Sequence, residues 1–177
     1  MGLMRLNVHD RQAIPAEGVG RIHLSGADEL HGELPWFGRA YFSGDQLVIE
    51  RGVEDSGWVY VPWHVKGHGE MSLCTATLRE REQPYQLEVE LARGTVNRLR
   101  NQTSHWEMMG LEVPGELREL VLQATREFAR AAIAQSDPAV AAERAQQAIA
   151  TAINAMQRLA EVYAAQAIAV RRRHNPR

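Results

Sequence analysis

Tyr85-Gln-Leu-Glu-Val-Glu-Leu91 decides how this chain divides. Tyr85, Leu87, Val89 and Leu91 alternate with Gln86, Glu88 and Glu90, the period-two pattern of a strand with its apolar side turned inward. On this reading Tyr85–Leu91 is the last strand of a β-rich half, and a helix opens at Arg93. Working back toward the N-terminus, Met71–Leu78 has β-branched and small residues with no charge until Arg79, the composition of a central strand. Gly57–Val61 adds a strand with Trp58 and Tyr60 on one face. Ala40–Phe42 and Gln46–Arg51 flank Ser43-Gly44-Asp45, a short connection whose glycine supplies the positive φ a hairpin needs. Arg21–Leu24 is a weaker strand. Short strands with frequent turn residues imply a small antiparallel sandwich or jelly roll over residues 1–92.

Beyond Ala92 the period changes to that of helices. Arg93–Met109 carries Val96, Leu99, Thr103 and Trp106 on one side and closes at Gly110. Glu116–Ala134 repeats apolar residues at Leu117, Leu120, Val121, Ala124 and Phe128. Asp137 caps a third helix with Pro138 at its first position, running to about Arg172. Its stripe of small and apolar residues, from Ala145 to Val170, lets helices approach closely. Residues 93–177 are therefore expected to form a helical hairpin or small bundle, and the whole chain belongs to the α+β class. A helix this long projects past a small partner domain, so a homodimer through the helices is an expected partnership.

Composition narrows the function. The charge is −2 over 177 residues, which gives no global pull toward nucleic acid or an anionic membrane. The halves differ: Met1–Ala92 holds 8 basic and 14 acidic residues, Arg93–Arg177 holds 12 and 8. Arg93, Asn97 and Arg100 share a helix face, and Arg171-Arg-Arg173 lies near the end, but no nucleic-acid-binding motif accompanies them. Cys74 is the single cysteine, which excludes an intrachain disulfide. No secretory leader, apolar span or myristoylation signal is legible, so a cytoplasmic location is expected.

Nor is catalysis legible. There is no nucleophile elbow, phosphate loop or dinucleotide fingerprint. His64-Val-Lys-Gly-His68-Gly-Glu70 is the best metal candidate, but Pro62, Gly67 and Gly69 exclude the helix that would align two histidines four apart. These read as loop histidines, with no metal and no cofactor. Glu17, Asp28, Glu29, Glu33, Asp45, Glu50, Glu54 and Asp55 name no pair across a sugar-sized cleft and read as solvated charges. The aromatics are more informative. Trp36, Phe37, Tyr41, Phe42, Trp58, Tyr60 and Trp63 crowd into 28 residues, and flat rings stack on sugar rings as readily as they fill a core. Trp36 after Pro35 and Trp63 after Pro62 are the two expected to be exposed. Trp36, Trp58, Tyr60, Trp63 and His64 form the candidate glycan-binding set.

Trp58–His64, Gly67-His-Gly-Glu70, Thr75-Ala-Thr-Leu78, Pro84-Tyr85, Glu90-Leu-Ala-Arg-Gly94 and Arg100-Asn-Gln102 together resemble the N-terminal accessory region of family 10 glycoside hydrolases, the endo-1,4-β-xylanase type. The resemblance is dense over residues 45 to 110 and thin elsewhere. It implies a β module that leads through helices to a (β/α)8 catalytic barrel. That barrel's glutamates are missing from this chain, so no residue here inherits a catalytic role. The resemblance implies a non-catalytic accessory module, with a polysaccharide or oligosaccharide ligand and the C-terminal barrel as partners. A structural module that positions the barrel or oligomerises without touching sugar is the alternative. The ending at His174-Asn-Pro-Arg177 agrees with a piece excised from a longer protein.

Overall fold

The computed structural model describes residues 2–28, 32–36, 38–52 and 56–174, with no account of the side chains at 27–28, 32–36 and 174. Two four-stranded sheets are followed by three long helices, an α+β architecture. The first sheet has the order β4-β5-β1-β8: β4 is Gly38–Ser43, β5 Gln46–Arg51, β1 Gly2–Asn7 and β8 Tyr85–Gln86. The second is β3-β2-β6-β7: β3 is Gly32–Trp36, β2 His23–Asp28, β6 Trp58–Val65 and β7 Gly69–Cys74. Among the described residues all strand pairs are antiparallel except β1 with β8, where Leu6 faces Tyr85 in parallel.

Alternation explains the inner faces. Met4, Leu6, Leu47 and Ile49 from one sheet meet Leu24, Val59, Val61, Trp63, Val65 and Leu73 from the other in one buried cluster. The β4–β5 hairpin turns at Gly44 with φ +60°, as the sequence requires, and Ser43 pairs with Gln46. Strand β6 tolerates Pro62 because β2 pairs with it only from Trp58 to Tyr60. Past Tyr60 no described strand pairs with β6 on that side, and a missing N–H there breaks no ladder.

Two expectations fail instructively. Tyr85–Leu91 is not a strand. Only Tyr85–Gln86 is extended, and Leu87 starts helix α1, Leu87–Met108, six residues before Arg93. The alternation misled because it assumes that charges face water. Leu87, Glu88, Val89, Glu90, Leu91 and Ala92 are all buried, so the first turns of α1 are enclosed on every side and carry no amphipathic signature. The line drawn between residues 92 and 93 thus falls inside a single helix. Met71–Leu78, read as a central strand, contributes β7 at the edge of its sheet, with α1 packed beside it. Strand β1, whose only signal is the six residues GLMRLN, lies inside its sheet beside β5.

Helices α2, Gly115–Ile133, and α3, Pro138–His174, match their expected spans. Asp137 Oδ1 accepts from Val140 N at 3.3 Å, the predicted N-cap bond. Alanines 141, 145, 148, 152 and 155 are buried along α3 and permit close packing against α1 and α2.

Gly94 fixes how the helices join the sheets. A Cβ at this position would collide with the Cys74 and Thr75 carbonyl groups and lie 2.8 Å from Ala76 N. Helix α1 therefore touches the end of β7 backbone to backbone. Gly94→Ala should lower stability by about 2 kcal/mol or more, because rigid main chain must move. Gly20→Ala, where a Cβ meets nothing within 4 Å, should change it by less than about 0.5 kcal/mol. Urea denaturation of the two variants against the parent checks this difference.

Candidate functional site

The residues expected to contact a glycan separate onto two faces. Along β6, Val59, Val61, Trp63 and Val65 point into the sandwich and are fully buried. Trp63, expected at the surface, is therefore a core residue. A strand reverses its side chain at each step, so the residue after Pro62 points inward. Its Nε1 has no hydrogen-bond partner. Trp58 and Tyr60 are half-buried and His64 is exposed, all on the opposite face. His64 sits within the strand, facing Glu70 of β7, and not in a loop. The side chain of Trp36 lies outside the described residues, as do Phe37, Glu29, Glu54 and Asp55 and the side chains of Asp28 and Glu33.

The outer face of β6 is already furnished. His23 stacks on Tyr60 with ring centroids 4.6 Å apart and planes 4° from parallel. Arg98 of α1 donates to Tyr60 Oη at 3.4 Å, its guanidinium carbon 5.5 Å from the ring centroid. Pro62 and Cys74 on the same face are buried. Tyr60 thus presents one ring face to protein, and a stacking platform for sugar is reduced to Trp58 and the rim at His64.

Two buried carboxylates, expected to face water, hold the junction of sheet and helix. Glu88 Oε1 accepts from His9 N at 2.8 Å and Asp10 N at 2.9 Å, fastening the turn after β1 to the start of α1. Glu90 Oε2 lies 2.6 Å from Arg93 Nη2, which also donates to the Thr77 carbonyl at 3.2 Å. Burial raises the Glu90 pKa above its ordinary value, and Arg93 opposes the rise. Of the basic face read from the sequence, Arg93 is committed to this pair. Asn97 and Arg100 line a cavity of about 510 Å³ between α1 and α2. Among the described residues no group of three histidine, cysteine, aspartate or glutamate side chains that could hold a metal ion occurs.

A second candidate emerges from the helices. Arg98, Asn101, Gln102, His105, Trp106 and Met109 follow one stripe of α1, at i, i+3, i+4, i+7, i+8 and i+11. Met156, Leu159, Tyr163, Gln166, Ala167 and Val170 follow one stripe of α3, and the two helices run in the same direction. Between them lies a trough with cavities of about 640 Å³ and about 270 Å³, which meet at Trp106. Trp106 stacks on Tyr163 across it at 4.4 Å. Gln166 clamps the α1–α2 connection to α3, donating to the Glu112 carbonyl at 2.7 Å and accepting from Glu112 N at 3.0 Å. At this end the lining residues Met109, Tyr163 and Val170 are exposed, Met109 to 73%. The sequence held the signal in Trp106, Tyr163, Ala167 and Val170, each on an apolar stripe. It did not say that the stripes outlast their neighbours.

No family model matches the chain, and neither the curated proteins nor the solved structures yield a match. Among the described residues no helix is long and apolar enough to cross a membrane.

The raised Glu90 pKa sets a direction for stability against pH. A carboxyl that holds its proton more tightly when folded adds stability fully present below its unfolded pKa and lost as pH rises through the folded value. Thermal melts of the parent and Glu90→Gln from pH 4 to pH 8 should show the parent losing ground to the variant as pH rises. A constant difference would mean that Glu90 titrates alike in both states.

Proposed function

We propose that this chain is a non-catalytic docking module: the β half serves as scaffold, and the helical bundle presents the face that binds another protein body. The observation that carries this reading is the apolar end of the bundle. Met109, Tyr163 and Val170 are exposed and line one cavity with Trp106, which continues into a second floored by Met156 and Leu159. Exposed apolar side chains gathered along one cavity mark an interaction surface. The resemblance of residues 58–102 to accessory regions of family 10 glycoside hydrolases supports a role alongside a catalytic body, with none of the chemistry residing in this chain.

A second reading, glycan binding by the β half, has one observation in its favour. Trp58, Tyr60 and His64 share the outer face of β6. The stacking of His23 on Tyr60 and the burial of Trp63 weigh against it.

The test sets the two faces against each other. Met109→Asp and Val170→Asp, at positions exposed to 73% and 51%, should leave stability within about 0.5 kcal/mol while reducing binding of an apolar fluorescent dye to the folded protein. Calorimetric titration with xylo-, gluco- and manno-oligosaccharides should give no saturable heat. Saturable heat abolished by Trp58→Ala and untouched by Met109→Asp would transfer the function to the β half. Trp63→Ala is not a probe of binding; as a core truncation it should cost about 3–5 kcal/mol of stability.

A further inference from the structure

We propose that the trough between α1 and α3 is the seat of an acidic amphipathic helix from a partner protein, which lies along it as a fourth helix of the bundle. This rests on the docking reading and names the chemistry of what docks. The length comes first. From Met156 to Val170 the α3 stripe spans about 21 Å at 1.5 Å per residue, room for about four turns of helix. Two parallel helices with one continuous stripe each make the groove that a further helix fills in a bundle. The floor is apolar at Met156, Leu159, Trp106 and Tyr163, and the cavities on either side of Trp106 offer separate seats for anchoring side chains.

Charge selects the occupant. No Asp or Glu lines either cavity. Arg98 stands at one end, His105 midway, and Arg171, Arg172 and Arg173 follow Val170 at the other. A helix with leucine-like residues on one face and carboxylates along its flanks meets both the floor and the ends. A second copy of α3 does not, because this helix has no acidic residue after Glu161 and would set arginine against arginine. Asn101 and Gln102 on the α1 wall add uncharged donors and acceptors that suit carboxylates without repelling the helix backbone.

The experiment uses the whole chain and a fluorescently labelled synthetic helix of about 18 residues, leucine on one face and glutamate elsewhere. A matching peptide with lysine in place of glutamate and vesicles of phosphatidylcholine with phosphatidylglycerol serve as comparisons. Saturable binding of the glutamate peptide, at least about tenfold tighter than the lysine peptide and weakened by salt, is the expected result. Ala167→Glu and, separately, His105→Glu should each weaken it by about tenfold, with thermal melts confirming that both variants fold. Equal binding of the two peptides, or indifference to both variants, would overturn the proposal. Vesicle binding without peptide binding would assign the trough to an anionic membrane instead. A concentration-dependent dimer in light scattering, abolished by Ala167→Glu, would assign it to a second copy. Loss of dye binding in Met109→Asp together with no peptide binding would retain the docking reading and discard the acidic helix. Failure of both would discard the two together.

Discussion

Helix α1 belongs to both halves of this protein, and its seat depends on the absence of a side chain at position 94. The helix backbone rests against the Cys74–Ala76 main chain with no room for a Cβ. That contact sets the distance between the second sheet and the bundle, and so places Arg98 beside Tyr60 one turn later. Glu88 adds the other fixed point by holding the His9 and Asp10 amides. With both ends of its first turns tied to different sheets, α1 transmits the position of the sandwich to everything packed on it, α3 included.

The parts of the fold legible in the sequence were those with one wet face. Helices α2 and α3 have it, and their ends were placed within a residue or two by Asp137, Pro138 and the apolar repeat. The β4–β5 hairpin has it too, with Gly44 marking the turn. The start of α1 does not. Buried on all sides, Leu87–Ala92 offers no contrast from which a period can be read, and the glutamates that looked solvated are bonded inside. Periodicity reports the boundary between protein and water. Where an element never meets water, only the tertiary structure can say what it is.

The candidate site divides along the same line. That Trp58 and Tyr60 share a face followed from strand geometry, and the structure keeps them there. That Trp63 points the other way follows from the same geometry, against the expectation that a tryptophan after Pro62 lies at the surface. The trough was half legible. Each stripe could be found on its own helix, but their parallel alignment depends on α2 reversing the chain between them, and on Gln166 pinning that reversal to α3.

Pro62 carries a consequence beyond local pairing. Past Tyr60 no described strand pairs with β6 on the β2 side; the short helical turns Arg11–Ala13 and Val19–Arg21 pack against β6 instead, one of the ways a sheet covers an edge on which a foreign strand could grow. A proline at that point withholds the donor that the first rung of a growing ladder would use. This flank is thereby guarded against recruitment into intermolecular sheet, the usual hazard of a small sandwich at high local concentration. An interface built from helix surface carries no such hazard, since helices satisfy their own main-chain hydrogen bonds and offer a partner only side chains.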